Sequence, residues 1–387
     1  MSFVCRCPLL YGKRLPVQRC PDILYWQYSA DDNQRIDPYT RGKAAEYPAP
    51  VSEKPEIGNM NKLDDIKHTK GISSLKGAFF KMLEEDYENA VEEINSENLT
   101  FGCLFELKAE AGLPTILERL KTRNIIALAL MAEAEVLENN ISLPVYKYSS
   151  CGYIEAFHSA LKWILVTGSG DDGLNDEFDK VLDTAASLLI KEYSDTTVLP
   201  VLADLIFKRN REGSFYHDLV WLLFESRKPD SLIFIGNRLQ SPHPEDKELA
   251  EMLLSFIPGV GTRRGRYNED PYSAFRSWLE ENIRFLYYTG ECSQQSANPA
   301  PYRIMPEAKY LCKAVSADTG SIVDSLSAED YKLLAAFQEQ SKKDMQLLAD
   351  FSYALHKENT ERWNTWLRIP ISEQIHIAKL RGGKVHD

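Results

Sequence analysis

Four short amphipathic segments follow one another over residues 197–259, and their spacing constrains the fold more than any other feature of the chain. In the first segment apolar residues recur at positions 198, 201, 202, 205 and 206, and in the last at 249, 252, 253, 256 and 257. These intervals place the apolar side chains on one face of an α-helix. Brief polar breaks separate the segments. We therefore predict two stacked helix pairs in this region.

Helical periodicity extends over most of the chain beyond residue 70. Phe79, Phe80, Leu83, Tyr87 and Val91 predict one helix with a single apolar stripe over residues 76–95. Strand-like alternation is nearly absent. The pattern predicts an all-α fold, arranged as a helical-repeat body over residues 71–290, a linker over residues 291–306 and a C-terminal helical section over residues 307–387.

Local signals in the C-terminal section support this assignment. Ser327 is followed by Glu329 and Asp330, the arrangement expected where a helix begins. Trp363 and Trp366 are three residues apart and therefore share a helix face, so we expect both to pack inward.

Residues 230–257 resemble a HEAT-type repeat, with a first helix that ends near residue 239, a turn, and a second helix. Pro244 loses no hydrogen bond at an early helical position, and the acidic Glu245 and Asp246 suit the positive end of the helix dipole. Lys247 corresponds to the basic residue that commonly follows in HEAT families. The segments 113–124 and 199–210 also resemble each other, since both begin with Leu-Pro and end with Arg-Asn. The resemblance covers about residues 110–260 and implies an α-solenoid with a protein-binding surface and no catalytic residue.

Residues 1–70 predict an extended, mostly non-helical arm followed by a linker over residues 52–70. Seven prolines lie in the first 55 residues and interrupt any helix of ordinary length. Apolar and aromatic residues are interleaved with them, and the candidate partner-binding residues of the arm are Tyr11, Tyr25, Trp26 and Tyr28. We expect this apolar surface to be covered, either by the chain's own helical body or by a neighbouring copy.

Three cysteines, Cys5, Cys7 and Cys20, lie close together in this arm. In a reducing compartment they remain free thiols, whereas in an oxidising one they could form disulfides between subunits. Their spacing lacks the paired pattern of zinc sites, and no phosphate-binding loop occurs in the chain. We therefore expect neither a metal nor another cofactor.

The net charge of −12 and the pI near 5.2 oppose general nucleic-acid binding, which depends on cationic side chains. A local alternative remains open, because some helical-repeat proteins are nucleic-acid repair enzymes with a basic groove. Its candidate edge residues here are Lys121, Arg123, Lys208, Arg209 and Arg211.

A second basic segment, the glycine-rich loop over residues 258–271, contains Arg263, Arg264 and Arg266. These arginines either pair with the chain's own carboxylates or contact an anion or a protein partner. No apolar run approaches the length of a membrane span, and the N-terminus lacks the pattern of a secretory signal. The default location is the cytoplasm, with release or export without a signal peptide left open.

Two residue pairs could support catalysis, Glu155 with His158 and His217 with Asp218. The first pair lies three residues apart on a helix, which also suits an ordinary side-chain contact. Established nucleophile and metalloprotease motifs are absent from the sequence. We therefore predict a non-enzymatic scaffold or self-assembling structural subunit whose partners are proteins, with other copies of itself as candidates. The alternatives are the nucleic-acid enzyme and a disulfide-linked surface assembly subunit.

Overall fold

The structure, a computed structural model, describes residues 61–108, 112–138, 154–261, 270–292, 296 and 298–382. These residues all belong to one compact unit, residues 52–387. Within them helices predominate, which confirms the all-α fold class.

The helices and strands are numbered in chain order. The helices of the N-terminal part are α1 (Lys62–Lys70), α2 (Ile72–Glu85), α3 (Tyr87–Ile94), α4 (Phe101–Leu107), α5 (Thr122–Glu138), α6 (Ile154–Gly168), α7 (Asp176–Lys191), α8 (Leu199–Glu212), α9 (His217–Glu225), α10 (Ser231–Gly236), α11 (Pro244–Leu253) and α12 (Pro271–Asn282). The remaining elements are β1 (Leu286–Tyr288), β2 (Tyr302–Ile304), α13 (Pro306–Tyr310), α14 (Ala328–Gln338), α15 (Lys342–Glu358), α16 (Thr360–Leu367) and α17 (Ile371–Gly382).

Helix α1 corrects the second half of the linker predicted over residues 52–70. Asn61 begins this helix, because its side-chain oxygen accepts a hydrogen bond from the backbone N–H of Leu63 at 2.8 Å. The buried positions of α1 are Leu63, Asp64 and Lys67, two of which are charged. A helix that buries charged residues lacks the apolar periodicity that the prediction relied on.

The single helix predicted over residues 76–95 is divided into α2 and α3. The chain breaks at Asp86, whose side chain caps the first turn of α3. Phe79 and Val91 are buried as predicted, whereas Phe80 is 51% exposed. Consecutive residues of a helix lie about 100° apart around its axis, so Phe79 and Phe80 cannot both face one core.

The two matching Leu-Pro segments differ in conformation. Leu113–Arg119 forms a 3₁₀ helix, and the Arg-Asn pair of that segment lies in the first turn of α5. The Arg-Asn pair of the second segment lies instead in the last turn of α8. The two segments are therefore not equivalent helices.

The four segments over residues 197–259 form α8, α9, α10 and α11, as the periodicity predicts. Helix α10 continues into a 3₁₀ turn that ends at Gln240, and α11 begins at Pro244 with two acidic residues in its first turn. Helix α8 packs against α9, α10 and α11, so it lies at the centre of this group.

Buried apolar side chains from α1 to β2 form one continuous core. Helices that are close in sequence pack together, with α5 on α6 and α7, α7 on α9, and α10 on α12. Aromatic rings fill the part of this core between α4, α6 and α7. Phe101 stacks on Phe178 with ring centroids 5.1 Å apart, and Trp163 meets Phe101 edge-on at 5.9 Å.

A short hairpin lies where the sequence predicts the end of the helical-repeat body and a linker over residues 291–306. Strand β1 pairs with β2 antiparallel, with Leu286 opposite Ile304 and Tyr288 opposite Tyr302. Three-residue strands are too short to show a period of two, although their aromatic and branched residues favour strands. The ring of Tyr302 is fully buried in the first core.

The C-terminal helices enclose a second core, in which Tyr310 stacks on Phe337 at 4.5 Å. Trp366 is buried in this core, and Trp363 packs against it while donating a hydrogen bond to Ser352 Oγ at 2.8 Å. Both tryptophans therefore pack inward, as their spacing predicts.

Lys309 joins the two cores. Its buried ammonium group donates to Asn282 Oδ1 at 2.7 Å, at the end of α12, and to Asp350 Oδ1 at 2.6 Å, on α15. Next to it, Phe285 meets the ring of Tyr353 edge-on at 5.1 Å. Polar and aromatic contacts thus hold the second core against the first.

Candidate functional site

The predicted contact residues of the arm and of the arginine loop lie outside the described residues. They are Tyr11, Tyr25, Trp26, Tyr28, Cys5, Cys7, Cys20, Arg263, Arg264 and Arg266.

The five cations predicted on one edge of a basic groove are all bound to groups of the chain itself. Lys121 and Arg123 both pair with Glu97, at the start of α5. Lys208 donates a hydrogen bond to the backbone oxygen of Asp172 at 2.7 Å. Arg209 and Arg211, on α8, form ion pairs with Asp172 and Asp246.

Arg209 is the most deeply buried of these cations, with 3% of its surface exposed. Its Nε and Nη2 donate to the carboxylate of Asp172 at 2.9 and 2.7 Å, and Nη1 lies 2.9 Å from Oδ1 of Asp183. Burial raises the pKa of Asp183 to about 6, although the positive charge of Arg209 opposes this shift. Since its guanidinium group is buried and paired with two carboxylates, Arg209 holds α8 against α7 rather than facing a ligand.

Arg211 forms the second ion pair of α8. Its Nη1 donates to both oxygens of Asp246 at 2.7 and 3.0 Å, and Asp246 is completely buried. The hydroxyl group of Ser241 donates to the same carboxylate at 2.8 Å. The acidic residue predicted to favour the start of α11 therefore also fixes α11 to the end of α8.

His158 contacts Asp195 rather than the predicted partner Glu155. Its Nε2 lies 2.8 Å from Oδ2 of Asp195, and its ring stacks on Tyr193 at 4.8 Å. Oδ1 of Asp195 accepts hydrogen bonds from the backbone N–H and the hydroxyl group of Thr197, at 2.9 and 2.6 Å. Burial raises the pKa of Asp195, but these hydrogen bonds outweigh it and hold that pKa below its usual value.

The side chains that make these contacts line a shallow depression between α6 and the turn that precedes α8. Lys162 Nζ donates to Thr197 Oγ1 at 2.7 Å, so that hydroxyl group is engaged on both sides. The polar groups all converge on Asp195, which caps the 3₁₀ turn Thr196–Val198. The arrangement positions the start of α8 against α6.

The second predicted pair, His217 and Asp218, begins α9. His217 packs against the rings of Phe215 and Tyr216, with centroids 5.6 and 4.7 Å away. Asp218 lies in the first turn, where its charge suits the helix dipole. The pair therefore has the contacts of an ordinary helix start.

The solvent-facing side of α2 is the strongest candidate for a binding surface. Ser73, Gly77, Phe80 and Glu84 recur there at intervals of four, three and four residues, and all four are exposed. Gly77 leaves open space, because a Cβ atom added to it would meet nothing within 4 Å. We call these four residues the α2 face.

More exposed apolar side chains lie near the C-terminal end of α2. Tyr87 and Leu117 are 37% and 45% exposed. Arg119 lies over the ring of Tyr87 at 5.9 Å, and a Cβ on Gly112 would overlap the side chain of Leu83. The 3₁₀ helix Leu113–Arg119, which carries Leu117, thus lies alongside α2 and α3.

The apolar stripe predicted over residues 76–95 includes Phe80, so the sequence prediction does not reveal the α2 face. A glycine in the middle of an otherwise helical pattern is the signal that could have revealed it, since glycine there usually has a packing reason. Ser73 and Glu84 on the same side are a second signal, because polar residues mark the solvent face.

Comparisons of the chain with protein-family models, curated proteins and solved structures give no match. Among the described residues, no group of three or more His, Cys, Asp and Glu side chains is placed to hold a metal ion. Within the same ranges, no helix combines the length and the apolar character needed to cross a membrane.

Proposed function

We propose that this chain is a non-catalytic helical scaffold that binds protein partners through its helical surface and its N-terminal arm. The α2 face carries this proposal, because Phe80 is 51% exposed there beside an open glycine. Exposing an aromatic ring to water is unfavourable, and aromatic residues are enriched at protein interfaces. A partner that covers Phe80 would remove this cost.

The charges of the described helices also favour a protein partner over a nucleic acid. The cations of the candidate groove edge are occupied by carboxylates and carbonyl oxygens of the chain. Binding phosphates would require breaking those contacts, two of which involve fully or almost fully buried carboxylates. The net charge of −12 adds long-range repulsion.

We further propose that α8 to α11 are stacked as in HEAT-type repeats. The packing of α8 on its three successors supports this arrangement, as does Pro244 at the start of α11. Such arrays present extended surfaces to protein partners.

The sequence of the arm supports a contribution to binding. Its aromatic residues Tyr11, Tyr25, Trp26 and Tyr28 provide the rigid apolar groups that protein interfaces favour. Deleting residues 1–50 should therefore change the oligomeric state measured by light scattering. An unchanged state would show that the arm does not join subunits.

The helical surface is tested with a photo-activatable amino acid placed at position 80 of the full-length chain in the cell that produces it. We expect adducts of defined mass from position 80. The matched control is position 331 on α14, where Tyr331 is 62% exposed. The proposal requires adducts that form from position 80 and not from position 331.

Equal labelling from both positions would overturn the proposal for this surface.

A mobility-shift assay across salt concentrations tests the nucleic-acid alternative, since binding that falls steeply with salt is the signature of phosphate contacts. We expect no shift even at low salt.

A further inference from the structure

Packing among the described residues does not explain the glycine of the α2 face. Glycine weakens the interior of a helix relative to alanine, and a close contact that only glycine permits is one reason for its presence there. Gly102 and Gly236 have such contacts, because a Cβ atom on either would overlap a neighbouring side chain. A Cβ on Gly77 would meet nothing. Any close contact that Gly77 permits would therefore involve a group outside the described residues.

The chain itself shows which group fits beside a helical glycine. On α10, Gly236 lies against the ring of Phe275 from α12, and a Cβ there would overlap that ring. Phe275 is buried by this contact. The α2 face carries both halves of the same contact, with Gly77 and Phe80 one turn apart and both exposed.

A surface that carries both a projection and its recess can pair with a copy of itself. In a two-fold interface each contact occurs twice, so residue 77 of one copy meets residue 80 of the other when the helices run antiparallel. This register places residue 73 opposite residue 84, where the hydroxyl group of Ser73 can donate to the carboxylate of Glu84. Both residues are exposed.

The charges at the two ends of α2 favour the antiparallel direction. Lys70 precedes the helix and Glu84 lies at its end, and both are exposed, whereas the neighbouring Glu85 pairs with Lys81 of its own helix. An antiparallel pair brings the basic end of each helix near the acidic end of the other, and it also opposes the helix dipoles favourably. A parallel pair would instead place like charges together at both ends.

We propose that α2 pairs antiparallel with α2 of a second copy, with Phe80 of each chain seated beside Gly77 of the other. This pairing rests on the proposed function and names the partner of its surface. One helix pair with two seated aromatic rings forms a small interface, so the dimer should be weak and should dissociate on dilution.

The test is sedimentation of the full-length chain with reductant, from low micromolar to several hundred micromolar protein. Reductant removes any contribution of disulfides. We expect dimers at high concentration, and at least tenfold weaker association for Gly77→Gln and for Phe80→Gln. The control Tyr331→Gln should associate like the wild-type chain, because Tyr331 lies on α14.

Gly77→Ala separates weaker association from loss of folding. Alanine strengthens an exposed helix, so this variant should melt at a higher temperature when dilute, yet it should dimerise less because the added methyl group occupies the recess. Unchanged association of Gly77→Gln or Phe80→Gln, or a wild-type chain that stays monomeric throughout, would overturn the proposal.

The register is tested by mixing Ser73→Cys with Glu84→Cys chains under mild oxidation and identifying linked peptides by mass spectrometry. We expect a disulfide that joins positions 73 and 84 of different chains. Links between two copies of position 73 would indicate a parallel pair and overturn the arrangement.

The photo-crosslinking experiment distinguishes this inference from the proposed function. Adducts from position 80 to a different protein, combined with a monomeric purified chain, would refute self-pairing and support the scaffold. Adducts to another segment of the same chain would show that the face is covered internally, which refutes self-pairing as well.

Discussion

Replacing Arg209 with alanine should destabilise the folded chain by about 3–5 kcal/mol, because removing one partner of a buried ion pair leaves the other charge buried and unpaired. The side chain of Asp172 is 1% exposed, so water has little access to replace the three hydrogen bonds that it loses. Asp183 is about one-third exposed and can be hydrated in part. The cost therefore comes mainly from Asp172. A loss of this size is a large fraction of the total free energy of unfolding, which is typically about 5–15 kcal/mol.

The matched control is Arg362→Ala, which removes a surface pair on neighbouring helical turns. Arg362 and Glu358 are 52% and 65% exposed, and such pairs contribute about 0–0.5 kcal/mol. The free energy of unfolding should be measured by urea titration with far-ultraviolet circular dichroism, for both variants and the wild-type chain.

A second variant identifies the cause of the loss. Adding Asp172→Asn to Arg209→Ala replaces the unpaired carboxylate with a neutral amide, so part of the lost stability should return. The reasoning would be refuted if Arg209→Ala cost no more than Arg362→Ala, or if the double variant recovered nothing.

Three further substitutions test other parts of the structure. Burial raises the pKa of Asp183 from 3.8 to about 6, so folding favours the protonated form of its carboxyl group. The free energy of unfolding of the wild-type chain should therefore fall relative to that of Asp183→Asn as the pH rises from about 4 to 6. Urea titrations at several pH values measure this difference, and a difference that stays constant with pH would contradict the prediction. Gly236→Ala should cost about 1–3 kcal/mol, because the new methyl group overlaps the ring of Phe275; a higher melting temperature would contradict this. Lys309→Ala should cost about 1–3 kcal/mol, because the buried side-chain oxygen of Asn282 loses its hydrogen-bond donor. The substitution should also increase proteolysis after residue 310 in native buffer, and an unchanged digestion pattern would contradict the role of Lys309 in joining the two cores.

Sequence reasoning located the helices best where capping residues and apolar periodicity agree. Ser327 begins α14 with the predicted capping arrangement, since its side chain accepts from the N–H of Asp330 and the side chain of Asp330 accepts from the N–H of Ser327. The start of α11 at Pro244 was likewise predictable, because proline and acidic residues suit that position. Both signals depend on neighbours within one turn.

Features that depend on distant partners could not be predicted. Arg209 and Asp172 are 37 residues apart, and nothing in their local sequence links them. The helix dipole explains an arginine at the end of α8 equally well without any partner. Helix α1 could not be predicted for a related reason, because its buried Asp64 accepts a hydrogen bond from Thr100, 36 residues away.

Apolar periodicity alone does not predict the α2 face. Phe79 and Phe80 are adjacent, and periodicity alone does not decide which of them faces the core when a helix ends as early as α2 does at residue 85. The arm and the arginine loop, which the sequence favours for contacts, lie outside the described residues, so their roles stay predictions.

The passage between the two cores is short and braced. Tyr302 belongs to the first core and Tyr310 to the second, and β2 and α13 occupy the residues between them. Rotation of one core relative to the other would pull Lys309 from Asn282 and separate the rings of Phe285 and Tyr353. A load applied to the C-terminal helices would therefore pass directly into the first core. The two cores should therefore stay at a fixed distance from each other instead of moving independently.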